Sequence, residues 1–175
     1  SKVRSTLSQI FQTLFFSHNF RLLVSTFLVS CSYAEILECN FALLNAFGDG
    51  IQRYSCNVVN KQIFQLANLE ITGINGVHAD GSTDADVLGL VISGGIMSSY
   101  PKGVENFFTN IEGLSIQNMY PAEIHQSDLI AFPKLKALSM TNINITYLEK
   151  DLFLGNPLLT QIRMTYSKIS HIEPT

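Results

Sequence analysis

Three histidines and two cysteines in the C-terminal four-fifths of the chain are the side chains best suited to chemistry, and their spacing excludes most of it. His78, His125 and His171 stand 47 and 46 residues apart. No HxH or HxxxH spacing occurs, so no metal site is expected. The sequence holds no GxSxG nucleophile, no HExxH pair and no glycine-rich phosphate loop. Gly94-Gly95 reads as a tight strand exit. No catalytic residue and no cofactor is therefore assigned, and an enzyme ranks behind a binding protein. What remains is covalent modification. Asn144-Ile145-Thr146 is a glycosylation acceptor triplet, usable if the chain is exported.

Export is expected from the N-terminal part. Residues 1–34 carry Lys2, Arg4 and Arg21 and no acid. Arg21 precedes an apolar run, Leu22 to Cys31, and Ser32 and Ala34 supply the small residues of a cleavage site. The run is short for a membrane span, which takes about 20 residues. Cleavage after Ala34 is expected, with a signal anchor reaching back through Ile10 to Phe16 as the alternative. A cut there removes Cys31 and leaves Cys39 and Cys56. Two cysteines in an exported chain favour one disulfide, worth roughly 3 kcal/mol in the chain-entropy model. The alternative is two free core thiols.

The 175 residues suffice for one domain, and 46% hydrophobic with 14% charged excludes a disordered chain. From Glu35 onward there are 8 basic and 14 acidic residues, a net of −6. An acidic surface repels phosphate backbones, so nucleic acid is excluded as a partner.

The elements that must position any site come from an internal repeat. Segments starting at Ile111, Leu135 and Leu159 align at a 24-residue step. Positions 1, 4, 6, 11 and 14 read Ile111, Leu114, Ile116, Pro121, Ile124; then Leu135, Leu138, Met140, Ile145, Leu148; then Leu159, Ile162, Met164, Ile169, Ile172. Fourteen of these fifteen are aliphatic or Met, and the 1-4-6 spacing fits no helical stripe. Val87, Leu90, Ile92, Met97 and Tyr100 continue the register upstream, as do Leu66, Leu69 and Ile71 after a 21-residue step. The connecting segments also repeat: Leu129 matches Phe153, Ile130 matches Leu154 and Pro133 matches Pro157. These are expected to pack behind the strands.

LKALSMTNINITYL, from Leu135, resembles the leucine-rich-repeat consensus LxxLxLxxNxLxxL. The resemblance covers about residues 61–175. It implies an α/β solenoid: a horseshoe with short parallel strands on the concave face and helices or turns on the convex face, because one repeat cannot bury its apolar side chains alone. The consensus Asn at position 9 is absent, and Asn118 and Asn142 lie one place earlier. Glu38 to Asn60, with Cys39, Cys56 and the Gly48-Asp49-Gly50 turn, resembles the disulfide-closed N-terminal caps of secreted insect leucine-rich-repeat proteins, some of which serve innate immunity. The organisation expected is a leader at 1–34, a cap at 35–60 and about five repeats at 61–175. The last repeat stops at position 17, so a fragment, or a chain completed by a partner, is expected.

Strand residues alternate, so positions 3, 5 and 7 should point to the concave face, and positions 5 and 7 carry its polar groups. They place Glu70, Thr72, Ser93, Ser115, Gln117, Ser139, Thr141, Arg163 and Thr165 there, flanked by Tyr166 at position 8. Ser139 is expected to face solvent beside a buried Leu138. The function expected is extracellular recognition of a protein or other macromolecule, in innate immunity among other settings. The ectodomain tip of a membrane receptor or adhesion protein is the alternative, and membrane association would need a further apolar segment.

Overall fold

The computed structural model describes residues 33–60, 69–95, 100–119 and 124–174. The chain divides into two compact units, Ser1–Ser30 and Cys31–Thr175, and all that follows concerns the second. The leader assigned to residues 1–34 lies outside the described residues except for Tyr33 and Ala34, which open the first strand. Leu66, Met97 and Pro121 of the repeat alignment also lie outside them.

In chain order the elements are β1 (Tyr33–Leu44), β2 (Arg53–Val58), β3 (Leu69–Asn75), β4 (Gly89–Gly95), β5 (Gly113–Met119), a four-residue helix α1 (Gln126–Leu129), β6 (Ala137–Thr141), β7 (Tyr147–Leu148), β8 (Gln161–Thr165) and β9 (His171–Ile172). Seven strands form one sheet in the order β3-β1-β2-β4-β5-β6-β8, and β7 and β9 form a small parallel pair. The 24-residue step is written directly into the pairing. Leu90 lies opposite Leu114, Leu114 opposite Leu138 and Leu138 opposite Ile162, all in parallel register. Period-two alternation sends positions 4 and 6 into the core: Leu90, Ile92, Leu114, Ile116, Leu138 and Met140 are all buried. Position 1 follows with Val87, Ile111 and Leu135.

The fold expectation needs correction. The α/β solenoid with convex helices is not formed. The sheet is mixed rather than a uniform parallel ladder. Among the described residues the helical elements are α1 and two three-residue 3-10 turns, Asp84–Asp86 and Val104–Asn106. The connecting segments fold instead as turns around buried Val104, Phe108, Leu129, Phe132 and Leu152. Ile130 and Leu154, expected to pack there, are exposed. Pro133 and Pro157, placed late in these connections, disfavour helix in the residues around them.

The first aligned segment also departs from the ladder. β3 does not neighbour β4. It pairs in parallel with the first half of β1, Tyr33–Glu38, at the far edge of the sheet. β2 takes the place beside β4, through Ser55↔Gly89 to Asn57↔Val91. The second half of β1 closes an antiparallel hairpin on β2, from Cys39↔Val58 to Leu44↔Arg53. Cys39 and Cys56 are disulfide-bonded diagonally across this hairpin, with their Cα atoms 5.1 Å apart. That bond is buried in the main core beside Leu37, Val58 and Leu90.

Two local features complete the repeat. Position 8 is left-handed in every strand of the parallel ladder from β4 onward: Gly94 at φ +77°, Asn118 at +51°, Asn142 at +53° and Tyr166 at +54°. Gly and Asn tolerate that region best, so Asn belongs one place earlier than the consensus puts it. The Asn142 amide then donates to Asn118 Oδ1 at 2.9 Å. The second feature is position 22, where Phe108 and Phe132 are followed by buried Asn156. Its Nδ2 donates to the carbonyls of Leu129 and Phe132, both at 2.9 Å, tying one turn to the next.

Candidate functional site

The face of the sheet opposite the main core is not open. The β1–β2 connection, residues 45–52, folds back across it as a strap. At its centre Phe47 is fully buried, in a small second core with Val91 and Ala137. The repeat makes room for the ring at position 3, which reads Gly89, Gly113 and Ala137 on adjacent strands. A Cβ at Gly89 would lie 2.4 Å from the Phe47 ring, and one at Gly113 2.6 Å. Glycine in a strand interior commonly marks such a close approach. Here the approaching group is the chain's own aromatic.

Arg53, the first residue of β2, fixes the strap electrostatically. Its side chain is 2% exposed. Nη1 and Nη2 donate to the two carboxylate oxygens of Asp49 at 3.0 and 2.6 Å. The guanidinium lies 5.1 Å from the centre of the Phe47 ring, and its Nε is 4.0 Å from Glu112 Oε2. The fork matches a carboxylate bidentately, which makes this the stronger kind of ion pair. The Arg53 hydrogen bond, helped by the Ile51 amide, holds the Asp49 carboxyl below its usual value against the opposing effect of burial.

This arrangement alters where the residues expected on the concave face stand. Ser115 is 0% exposed and Ser139 3%. Both lie beneath the strap, so the expectation that Ser139 faces solvent is corrected. Glu70 and Thr72 are on β3 at the far edge and do not join the others. Thr72 lies where the β1–β3 register slips, and its hydroxyl donates to the Glu35 carbonyl at 3.4 Å. Ser93 is half-buried on β4. Gln117, Thr141, Arg163 and Thr165 stay together along the strap's margin. There Gln117 donates to Ser115 Oγ at 2.9 Å and Thr165 to Thr141 Oγ1 at 3.1 Å. Tyr166 projects from the end of β8, 85% exposed.

Between the strap margin and these strands is an open polar cavity of about 450 Å³, lined by Asn45, Ala46, Gly48, Gly50, Gln117, Ser139, Thr141 and Arg163. The first four are residues that sequence reasoning placed in a cap and not at a site. The small residues recurring at position 3 were the available signal, because three in a row across a sheet leave a trough that something must fill. Arg163 packs its stem against Gly48, whose φ is +89° and whose added Cβ would come within 3.0 Å of Arg163 Cδ.

The remaining candidates lie elsewhere. Asn144 and Thr146 are exposed on the loop between β6 and β7, flanking buried Ile145. The histidines serve three separate purposes. His78 stacks on Phe41 at 3.8 Å and bridges the Tyr54 hydroxyl and Asp84, both at 3.0 Å, fastening the loop after β3 to β2. His125 is 3.4 Å from Glu149, and His171 stacks on Tyr147. Among the described residues no helix is long and apolar enough to cross a membrane. Comparison with known proteins finds no matching family model, no matching curated protein and no matching solved structure.

Proposed function

We propose that the chain is an extracellular recognition module that binds another macromolecule along the margin between the strap and strands β5, β6 and β8. The observation that carries this reading is the polar cavity. It is held on both sides by rigid parts, a disulfide-bonded hairpin and hydrogen-bonded strands. A preformed concave surface reduces the ordering cost of binding. The lining offers amides, hydroxyls, backbone and one guanidinium. Such groups recognise. None is a general base, a metal ligand or an activated nucleophile. The sequence features that support an extracellular setting are the basic flank and apolar run of residues 21–31 and the Asn144-Ile145-Thr146 acceptor triplet.

The test is site-directed photo-cross-linking in secreting cells. A photoreactive side chain at Thr141, inside the cavity, is compared with one at Ile130, exposed on a connecting turn. The expected result is secreted protein with a discrete adduct from position 141 and none from position 130. Adducts from both positions alike, none from position 141, or protein retained in the cytosol would each overturn the reading.

A further inference from the structure

Two arginines border the strapped face, and their states differ. Arg53 is paired with a carboxylate through both nitrogens of its fork. Arg163 lines the cavity and forms no ion pair or hydrogen bond among the described residues. No acidic side chain lines that cavity. In a chain of net charge −3 with 14 acids to 11 bases, a cation left without a carboxylate in a concave site stands out. Its stem lies close against Gly48, where an added Cβ would come within 3.0 Å of Arg163 Cδ. Gln117 and Thr141 supply neutral donors beside it.

We propose that this cavity is a carboxylate site: Arg163 takes the acidic side chain of a protein partner, by the fork geometry Arg53 already uses on Asp49. The assignment rests on the recognition reading above and names its ligand chemistry. A guanidinium matches a carboxylate with two parallel hydrogen bonds, which an ammonium cannot reproduce. A volume of about 450 Å³ holds one such side chain with its backbone at the mouth. An acidic sugar offers the same carboxylate. The lining contains no aromatic ring for a sugar face to stack on, so the protein side chain is favoured.

The experiment uses the full chain with its disulfide intact, followed by amide and side-chain NMR signals at low ionic strength, where an exposed charge is least screened. Four probes are titrated: N-acetylglutamate amide, N-acetylglutamine amide, glucuronate and sulfate. The glutamate probe is expected to move the Gly48, Gly50 and Gln117 signals saturably. The glutamine probe and sulfate should bind at least fivefold more weakly. Arg163→Gln should abolish the preference for glutamate, and Arg163→Lys should retain part of it. Arg163 is exposed at the sheet edge, and unchanged spectral dispersion in both variants establishes that they fold. Equal binding of glutamate and glutamine, or an unchanged preference in Arg163→Gln, overturns the carboxylate assignment. Sulfate equal to glutamate makes the site one for any anion, and glucuronate exceeding glutamate assigns it to a saccharide. Either result also overturns the proposal. None of these outcomes touches the cross-link expected at position 141, so the two readings fail separately.

Discussion

Replacing Gly113 by Ala should destabilise the protein when Phe47 is present and cost nothing when it is not. The added Cβ would lie 2.6 and 2.7 Å from Phe47 Cδ1 and Cγ, and 3.0 Å from Arg53 Cδ. Carbon atoms rest at about 3.5–4.0 Å, so the overlap with the ring is close to 1 Å. Phe47 is fully buried and cannot turn aside without lifting the strap. Overpacking of this kind costs about 1–3 kcal/mol. In a Phe47→Ala background the ring is gone and the flexible Arg53 stem can yield. Ala then gains the roughly 0.5–1 kcal/mol by which it outdoes Gly in a strand. Phe47→Ala by itself should cost about 3–5 kcal/mol. A double-mutant cycle should therefore return a coupling of about 2 kcal/mol between positions 47 and 113. Urea melts of the four proteins measure it. A neutral Gly113→Ala in the parent, or the same cost in both backgrounds, would mean that the strap does not lie on the position-3 trough and that the cavity wall it forms is misplaced.

Two further outcomes follow from groups that hold the face and the turns. Asp49 has a lowered carboxyl pKa, so its pair with Arg53 stabilises fully above the unfolded value near pH 3.9 and is lost as pH falls through the lower folded value. Asp49→Asn should cost about 3 kcal/mol at neutral pH by stranding a buried guanidinium, and its stability curve should meet that of the parent in strong acid; parallel curves down to pH 2 would refute the pairing. Asn156→Ala removes two 2.9 Å donors from the Leu129 and Phe132 carbonyls and should cost about 2–4 kcal/mol in a denaturant melt, whereas a loss below about 0.5 kcal/mol would show that water replaces the amide without penalty.

Some of this was legible residue by residue. The buried column Leu90, Leu114 and Leu138 is a sequence fact before it is a structural one, because apolar residues at positions 4 and 6 of a 24-residue step can share a face only in strands. The Cys39–Cys56 disulfide also followed from counting. Other parts were not. Tyr166 occupies the left-handed position 8 as Asn118 and Asn142 do, yet Tyr carries no propensity for it. The buried bridging role of Asn156 needs the preceding turn, which supplies the Leu129 and Phe132 carbonyls. Convex helices were read from a family resemblance, while the Pro-containing connections of this chain form turns.

From β4 to β6 the sequence alone determined the spacing of the strands and which side chains face the main core, because both follow from the two-residue alternation of extended backbone and from the need to bury Leu, Ile and Met; in the last repeat Ile162 and Ile172 are exposed. Tertiary structure decided the rest. β3 carries the same Leu-x-Ile pattern as β4 and β5, and nothing local tells it to pair with β1 rather than β4. Ser115 and Ser139 are polar and surface-like in isolation. They are buried on the face that the strap crosses, where Phe47, more than 65 residues away from Gly113 and Ala137 along the chain, fills a trough that exists only once three strands are aligned. Contacts of that separation depend on shape that the aligned strands create together, and no short-range pattern encodes them. The candidate site, lined half by the strap and half by the strands, belongs to this second class.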